Sequence, residues 1–347
     1  MRSRVYLKIL MISAAIVALA MVAGCSRQQQ AEVTSPWPVA EAERTIEKPP
    51  SPPIWPLTGL DAPDSEAVAN RRIVSVKIDN APVARPQSGL QSADVVYESI
   101  TEGGITRFNC LFHSEVPSTV GPVRSARLSD LKMVPQYEAL FVFSGASGRV
   151  NAAVRAAGLQ NLSQDAGVSR GYSRSRARRA PHNLYVDLNQ IREEGVNRGY
   201  PARQELRRLA FAGSSPATGA PAAAISIPFS RANRVDWVYD ASRAVYLRSN
   251  NGAVHRDALT GEQLSARNVV VMWAQIVPAV PSGTYDIQLV GSNRVSVFRD
   301  GVRIDGTWQA GPDQPPSFTA ADGSTIRLAP GNTWFQVIAT DVNIVIR

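Results

Sequence analysis

Residues 93–112 read ADVVYESITEGGITRFNCLF, and this stretch decides the fold of the chain. Two runs within it, 93–98 and 105–112, are rich in valine, isoleucine, tyrosine and phenylalanine. These residue types favour strands, and the glycine-containing segment between the runs is typical of a turn. The stretch therefore predicts two consecutive strands.

Similar patterns surround this pair in the first half of the chain. Two further strands are expected at 73–78 and 139–143, and helices at 125–133, 149–157 and 188–194. Strands that alternate with helices form layered domains. We therefore predict an α+β (or α/β) N-terminal domain with a mixed sheet over residues 57–212.

The second half of the chain has a different pattern. Residues 213–224, GSSPATGAPAAA, are small and turn-prone, which predicts a linker. Beyond it, apolar and polar residues alternate, and Asn-Gly or Asp-Gly pairs at 251–252, 300–301 and 322–323 mark tight turns. Residues 225–347 are therefore predicted to form a β-rich C-terminal domain of hairpins.

The N-terminus carries an export signal. A basic head precedes an apolar run at 9–23 that is too short for a comfortable membrane-spanning helix, so residues 1–24 are predicted to be a signal peptide. The sequence VAGC at 22–25 resembles the lipobox of bacterial lipoproteins, which implies lipidation of Cys25. Residues 25–56 form a Pro-rich tether. The alternative is an ordinary signal peptide or a retained anchor, with Cys25 incidental. An extracytoplasmic, membrane-anchored lipoprotein of the cell envelope is expected.

Composition restricts the partners. The formal net charge is +8, and residues 1–24 carry three basic and no acidic residues, which leaves +5 on the remainder. Such a modest excess of positive charge on an exported chain does not favour a nucleic-acid partner.

Cysteines and histidines offer few further contacts. With Cys25 lipidated, Cys110 has no partner for an intrachain disulfide. The three histidines, His113, His182 and His255, are too widely spaced for a structural zinc site. No metal and no cofactor are expected, and the expected partners are the membrane, through the lipid, and an unidentified envelope ligand or protein.

Short phrases in a fixed order carry a family resemblance. They are RPQSGL (85–90), ADVVYE (93–98), EGGITRF (102–108), GPVRSAR (121–127), APHNLY (180–185), VDWVYD (235–240), NVVV (268–271) and PGNTWF (330–335). Together they resemble the YerB-like family of bacterial lipoproteins, in which a domain of unknown function is followed by its own C-terminal partner domain. The resemblance covers nearly all of residues 57–347. It implies a shared fold and an envelope location, and it implies no reaction.

Charged residues of the first half form the candidate site. Arg124 and Arg127 are three residues apart at the start of a predicted helix, where they repel each other and the helix dipole disfavours cations. They therefore need an anion nearby. Glu98 and Glu102 could supply it within a structural ion-pair network, or a ligand carboxylate, phosphate or sulfate could supply it. Both interpretations stay open.

Two functions follow from this cluster. The first is a binding or accessory module for a polar or anionic envelope component, with the candidate ligand-binding residues Arg107, Arg124, Ser125, Arg127, His182 and Asn183. The alternative is a cell-wall-directed hydrolase that uses Glu98 or Glu102 as acid/base with His182 as partner. His182 follows a run of arginines, which is either a solvated loop or the mouth of a site for anions.

Overall fold

The computed structural model describes residues 52–205, 207–216, 218–279 and 284–347. The signal peptide, Cys25 and all but the last residues of the predicted tether lie outside these ranges. Four helices are described, α1 Ser65–Asn70, α2 Asp130–Met133, α3 Gly148–Ala156 and α4 Leu188–Asn197. The strands of the first half are β1 Val74–Asp79, β2 Val95–Ile100, β3 Thr106–Phe112, β4 Leu140–Val142, β5 Tyr172–Arg174 and β6 Leu184–Val186.

The second half consists of strands within its described residues. They are β7 Ala220–Pro221, β8 Ala224–Ser230, β9 Asn233–Asp240, β10 Val245–Asn250, β11 Ala253–Val254, β12 Ser265–Ala266, β13 Asn268–Ala274, β14 Ile276–Ala279, β15 Thr284–Ile287, β16 Gly291–Arg299, β17 Val302–Gly311, β18 Gln314–Ala320, β19 Thr333–Ala339 and β20 Val345–Ile346. The α+β class with a mixed sheet and a β-rich C-terminal half is therefore confirmed.

One ten-stranded sheet contains strands from both halves. Its order is β18-β17-β16-β13-β19-β2-β3-β1-β4, with β7 added on β17. The halves meet where β19 pairs in parallel with β2, while β2 and β3 pair antiparallel as the sequence predicts. The segment predicted as a linker, 213–224, contains β7, which pairs with β17 of this sheet.

A six-stranded sheet covers one face of the ten-stranded sheet. Its order is β11-β10-β9-β8-β20, with β12 added on β10. Trp237 of β9 meets Trp334 of β19 with ring centroids 5.3 Å apart, and an apolar cluster that includes Val96 and Phe108 fills the space between the sheets. The opposite face of the ten-stranded sheet packs on residues of α2 and α3. Alternate residues of β2 and β3 therefore enter different environments.

Local sequence explains where the longer helices begin. Ser147 and Asp187 precede α3 and α4, and their side chains accept hydrogen bonds from backbone N–H groups of the first turn. α4 covers the segment predicted at 188–194, and α3 covers all but the last residue of the segment predicted at 149–157. The segment predicted as a helix over 125–133 is helical only from Asp130 in α2, followed by a short 3-10 turn at Val134–Tyr137.

Candidate functional site

The candidate site is centred on Arg107 of β3, whose side chain is almost completely buried. Arg107 is 5% exposed, its Nη1 lies 3.4 Å from the carbonyl oxygen of Ser125, and its Nε has no hydrogen-bond partner. In the part of the chain that the structure describes, no carboxylate forms an ion pair with it. Burial, followed by the nearby charge of Arg127, lowers the pKa of Arg107 to about 10, although the charges of Glu102 and Asp79 act in the opposite direction. A buried cation without a carboxylate in direct contact is an energetically costly arrangement.

Asp79 holds two further side chains beside Arg107. Asp79 is the β1 residue opposite Arg107 in the antiparallel register, so both lie on the same face of the sheet. Its Oδ2 atom is 3.1 Å from Nε of Arg124 and 2.6 Å from Nδ1 of His182. Asp79 is buried, whereas Arg124 and His182 keep about a fifth of their side-chain surface exposed. Asp79 is thus an interior anchor that fixes two partly exposed groups at the edge of the site.

Arg127 is held by Glu102 on the other side. Its Nε lies 2.7 Å from Oε1 of Glu102, and its Nη2 donates a hydrogen bond to Oε2 at 2.7 Å. Partial burial acts to raise the pKa of Glu102, but the hydrogen bond and charge of Arg127 outweigh it and the pKa is lowered. Glu102 is therefore an ionised partner of Arg127, as one of the two sequence-based interpretations expected.

Backbone pairing explains why Arg124 and Arg127 do not lie on a helix. The N–H of Arg124 donates to the carbonyl of Lys77 at 2.8 Å, and the N–H of Ala126 donates to the carbonyl of Gly145 at 3.1 Å. The carbonyl of Arg124, which would accept the first hydrogen bond of a helix beginning at 125, instead accepts from the N–H of Ser144 at 3.1 Å, so this segment is not helical. The helix predicted to start at 125 is therefore wrong in its N-terminal part. The helix dipole has no bearing on the two arginines, which gather beside Arg107 through strand pairing.

The other two residues predicted for the site contribute less directly. Ser125 offers its carbonyl oxygen, which accepts from Arg107 and, at 3.2 Å, from Arg127. Asn183 accepts from Nη1 of Arg174 at 2.9 Å and donates to the carbonyl of Ser175 at 3.1 Å. These bonds tie together the arginine-rich connection between β5 and β6, and that hairpin carries His182 to Asp79.

Glu98 lies on the opposite face of the sheet from Arg107. It is paired in register with Phe108, the neighbour of Arg107 on β3, so its side chain points the other way. Its two carboxylate oxygens accept hydrogen bonds from Nη2 of Arg248 at 2.8 and 2.7 Å, and both side chains are fully buried. The expectation that Glu98 neutralises Arg124 or Arg127 is therefore corrected. The contacts also do not bring Glu98 or Glu102 to His182, whose carboxylate partner is Asp79.

Arg248 lies in a buried hydrogen-bond network that was not predicted from the sequence. Nη1 of Arg248 lies 2.6 Å from Nδ1 of His255, and Nε2 of His255 lies 2.7 Å from Oε1 of Gln87. Because a guanidinium only donates, His255 carries its proton on Nε2 and is neutral. Burial, followed by the charges of Arg248 and Arg85, lowers the pKa of His255 well below its usual value. The rings of Phe108, Trp237 and Trp334 surround the guanidinium at 5.1–5.7 Å.

A sequence signal for Arg248 does exist. Tyr246, Arg248 and Asn250 alternate along β10, and all three point inward. A charged residue at an inward position of a strand predicts a buried partner.

Two further observations concern the described ranges only. Within them, no group of three His, Cys, Asp or Glu side chains is arranged to hold a metal ion. No helix among these residues is long and apolar enough to cross a membrane.

The fold and this arrangement of charges define a two-part α+β protein whose halves share one sheet. Family models of a protein of unknown function, DUF3048, match both parts, the N-terminal domain at residues 57–201 and the C-terminal domain at residues 225–335. The chain belongs to this family, and its resemblance to YerB-like proteins is confirmed.

Similarity to one relative, YerB of Bacillus subtilis, is seen in both sequence and structure. The chain is 31% identical over 291 residues to the putative lipoprotein YerB of Bacillus subtilis (strain 168), covering 82% of this chain and 85% of that protein. The crystal structure of YerB from Bacillus subtilis superimposes with a TM-score of 0.76 at 28% identity, covering 84% of this chain and 99% of the other.

Proposed function

We propose that this protein is a lipid-anchored component of the cell envelope that binds an anionic group through Arg107, Arg124 and Arg127. The observation that carries the proposal is the burial of Arg107 without an ion-pair partner among the described residues. The name of the relative as a putative lipoprotein and the VAGC sequence at 22–25 support the anchor.

The charges of the cluster do not balance. Three guanidinium groups face two carboxylates, those of Asp79 and Glu102, and each carboxylate holds one of the flanking arginines. Arg107 interacts with these two carboxylates only through longer-range charge, and neither forms a direct ion pair with it. A carboxylate, phosphate or sulfate on a ligand would neutralise it and accept hydrogen bonds from the planar guanidinium. His182 lies at the same edge, and its Nε2 makes no hydrogen bond within the described part of the chain.

The contacts favour binding over hydrolysis. In the hydrolase alternative, Glu98 or Glu102 exchanges protons with a substrate beside His182. Glu98 is fully buried against Arg248, and Glu102 is paired with Arg127. A binding module needs only the unpaired cation and an exposed edge, and both are present.

Titration with inorganic phosphate tests the binding site. The full chain is purified in detergent micelles and titrated in a calorimeter, with sulfate as the second probe and ionic strength held constant by chloride. We expect saturable binding by the wild type and at least about a tenfold loss for Arg107→Gln, because a charge-assisted hydrogen bond contributes about 1.5–3 kcal/mol. Arg231→Gln, a change at an exposed arginine between β8 and β9, is the matched control and should bind as the wild type does.

Equal binding of phosphate by the wild type and Arg107→Gln would contradict the proposed site.

The lipid anchor has a separate test. Cys25→Ala should lose lipid labelling and leave the membrane fraction, and an unchanged distribution with no lipid on either form would refute lipidation of Cys25.

A further inference from the structure

Three connecting segments of the chain lie side by side on its surface. Arg178 joins the first two, because its guanidinium donates to the carbonyl oxygens of Val83 and Pro86. The first and third are joined by the N–H of Ala258, which donates to the carbonyl of Gln87 at 2.7 Å. The segments are residues 80–87, 175–183 and 253–260. They therefore form one continuous surface.

Three large apolar side chains are exposed on this surface. Val83 is 67% exposed, which makes it the most exposed large apolar residue in the described ranges. Val254 on β11 is 48% exposed and Leu259 is 53% exposed. The segments of Val83 and Val254 are neighbours, since Pro82 and Val254 line the same cavity. Apolar side chains grouped at an exposed surface mark a place where a partner can cover them.

Arginines accompany these apolar side chains. The three segments contain five arginines and a single acidic residue, Asp257. Arg176, Arg179 and Arg256 are exposed, and no carboxylate forms an ion pair with them in the part of the chain that the structure describes. The surface therefore has a local excess of positive charge, although the net charge of the whole chain is modest.

Asp257 does not offset this charge at the surface. Its side chain is 1% exposed. Its carboxylate oxygens accept hydrogen bonds from the backbone N–H groups of Gly89 at 3.2 Å and Gln91 at 3.0 Å. Asp257 thus holds the third segment against the first from the interior, and the exposed charges of the three segments are all positive.

The combination of apolar and basic side chains favours a bilayer over a dissolved anion. A dissolved phosphate or carboxylate would contact the arginines and leave Val83, Val254 and Leu259 in water. A leaflet that contains anionic lipids offers phosphates to the arginines and an apolar boundary to the other three side chains. Residues 26–51, if extended, span up to about 90 Å, so an anchor at Cys25 lets this surface reach the bilayer.

We propose that the surface formed by Val83, Arg176, Arg179, Val254, Arg256 and Leu259 docks on an anionic lipid bilayer. The arginines donate hydrogen bonds to lipid phosphates, and the apolar side chains enter the boundary between headgroups and acyl chains. The proposal rests on the lipid anchor proposed above, because the anchor keeps the surface near the membrane. It does not use Arg107, whose side chain is almost completely buried.

A fluorescent label at Val83 tests the docking. The full chain carrying Val83→Cys is labelled with a polarity-sensitive dye and reconstituted into vesicles of phosphatidylcholine alone or mixed with phosphatidylglycerol. Cys110 is fully buried and Cys25 carries the lipid, so the label is confined to position 83. We expect a blue shift of the emission with phosphatidylglycerol, and its loss at high salt.

The same label at Val345 is the matched control. Val345 is similarly exposed but lies on β20, at the opposite edge of the six-stranded sheet from β11. Its emission should not depend on the lipid. The same emission from position 83 in both kinds of vesicle, or an equal shift at position 345, would overturn the proposal.

Flotation of the vesicles separates this result from the anchor. Protein that floats with phosphatidylcholine alone is anchored by its lipid, and an absent blue shift with phosphatidylglycerol then refutes docking without affecting the anchor. Protein that floats only with phosphatidylglycerol, with the blue shift, supports docking and refutes the anchor. Flotation with neither refutes both.

Charge variants then locate the contact. Arg176→Gln combined with Arg179→Gln should lower the ratio of docked to undocked protein at least about tenfold, because each basic residue adds to the attraction of an anionic leaflet. Arg231→Gln combined with Arg243→Gln removes the same charge at two exposed arginines outside the surface and should change the ratio little. Arg107→Gln should also leave docking unchanged, which separates it from the phosphate site. Equal losses in the two double variants would contradict the location.

Apolar variants distinguish a bilayer from a soluble polyanion. Val254→Ser combined with Leu259→Ser keeps the charge and should lower the ratio of docked to undocked protein several-fold, because less apolar surface is buried. Val345→Ser is the control and should have no effect. Unchanged docking after the paired serine substitutions, or an equal emission shift caused by tripolyphosphate with neutral vesicles, would show that the surface binds anions in general and would overturn the proposal.

Discussion

Arg248 and Arg107 are both buried arginines, and they lie against opposite faces of the same sheet. Arg248 is bound by both oxygens of Glu98, by His255 and by three aromatic rings. Arg107 has one long hydrogen bond to a carbonyl and no carboxylate in direct contact among the described residues, whereas the Nε atoms of both arginines lack a hydrogen-bond partner. The two side chains are similarly hidden from water and differ almost entirely in what neutralises them.

This difference suggests a structural role for Arg248 and a binding role for Arg107. A buried guanidinium with a carboxylate in place is part of the architecture, because its removal leaves an uncompensated charge. A buried guanidinium without one has stabilising contacts still to gain, and a ligand can supply them. We therefore expect changes at the Arg248 network to act on stability and changes at the Arg107 cluster to act on binding.

The largest expected effect is that of Glu98→Gln on stability. Removal of one partner from a buried ion pair costs about 3–5 kcal/mol, so the free energy of unfolding should fall by that amount. Urea denaturation followed by tryptophan fluorescence measures it, since Trp237 and Trp334 lie beside Arg248.

A double variant is the control for this loss. Glu98→Leu combined with Arg248→Met removes both charges and should recover much of the stability. If Glu98→Gln lowers the free energy of unfolding by less than about 1 kcal/mol, its effect is that of an ordinary substitution. The ion pair of Glu98 with Arg248 would then not distinguish Arg248 from Arg107.

Phosphate should stabilise the wild type by a smaller amount. A ligand at about 100 times its dissociation constant raises the free energy of unfolding by about 2.7 kcal/mol. Arg107→Gln should unfold with a similar free energy in chloride and gain nothing from phosphate. Urea midpoints of the wild type and of Arg107→Gln are measured in matched phosphate and chloride buffers. If phosphate stabilises Arg107→Gln as much as the wild type, phosphate binds at a site other than Arg107.

The pH dependence of stability should report on His255. Burial lowers its pKa in the folded state, so on acidification the unfolded chain takes up a proton first. The stabilisation is complete above the unfolded pKa of about 6.5 and is lost as the pH falls toward the folded pKa. His255→Gln, whose amide can keep both hydrogen bonds, should reduce the loss between pH 7 and pH 5 by on the order of 1–2 kcal/mol.

The comparison with the wild type isolates this contribution. Asp94, whose pKa burial raises to about 6, has the opposite dependence, because its stabilisation is lost as the pH rises. It contributes equally to both proteins and cancels in the difference. Parallel curves for the wild type and His255→Gln would show that His255 is not held neutral by its surroundings.

The smallest expected effect is that of Glu102→Gln. Glu102 is one-third exposed, so solvent screens its ion pair with Arg127, and the loss of stability should be about 0.2–1 kcal/mol. Phosphate should bind this variant more tightly, since Arg127 is then left without its carboxylate. A large loss of stability would make Glu102 comparable with Glu98.

Much of the fold could be predicted from local sequence. The runs at 73–78, 93–98, 105–112 and 139–143 correspond to β1–β4, because dense apolar and β-branched residues between turns are a local signal. The helix predicted over 125–133 is wrong in its first part, because the carbonyl of Arg124, which would accept the first helical hydrogen bond, accepts from the N–H of Ser144 instead.

The candidate site was predicted in part. Arg107, Arg124 and Arg127 do meet, and the phrases that contain them were visible. Glu98 was placed on the wrong side, because its orientation depends on its register with β3 and because its partner, Arg248, lies 150 residues away in the chain.

By itself, the sequence determined the strands, the turns and the family of this protein, because these depend on residue types over a few neighbouring positions. Only the tertiary structure decided which charges are neutralised within the protein and which are left for a ligand. The physical reason is that one strand sends alternate side chains to opposite faces, so Glu98 and Arg107, neighbours on paired strands, meet different partners.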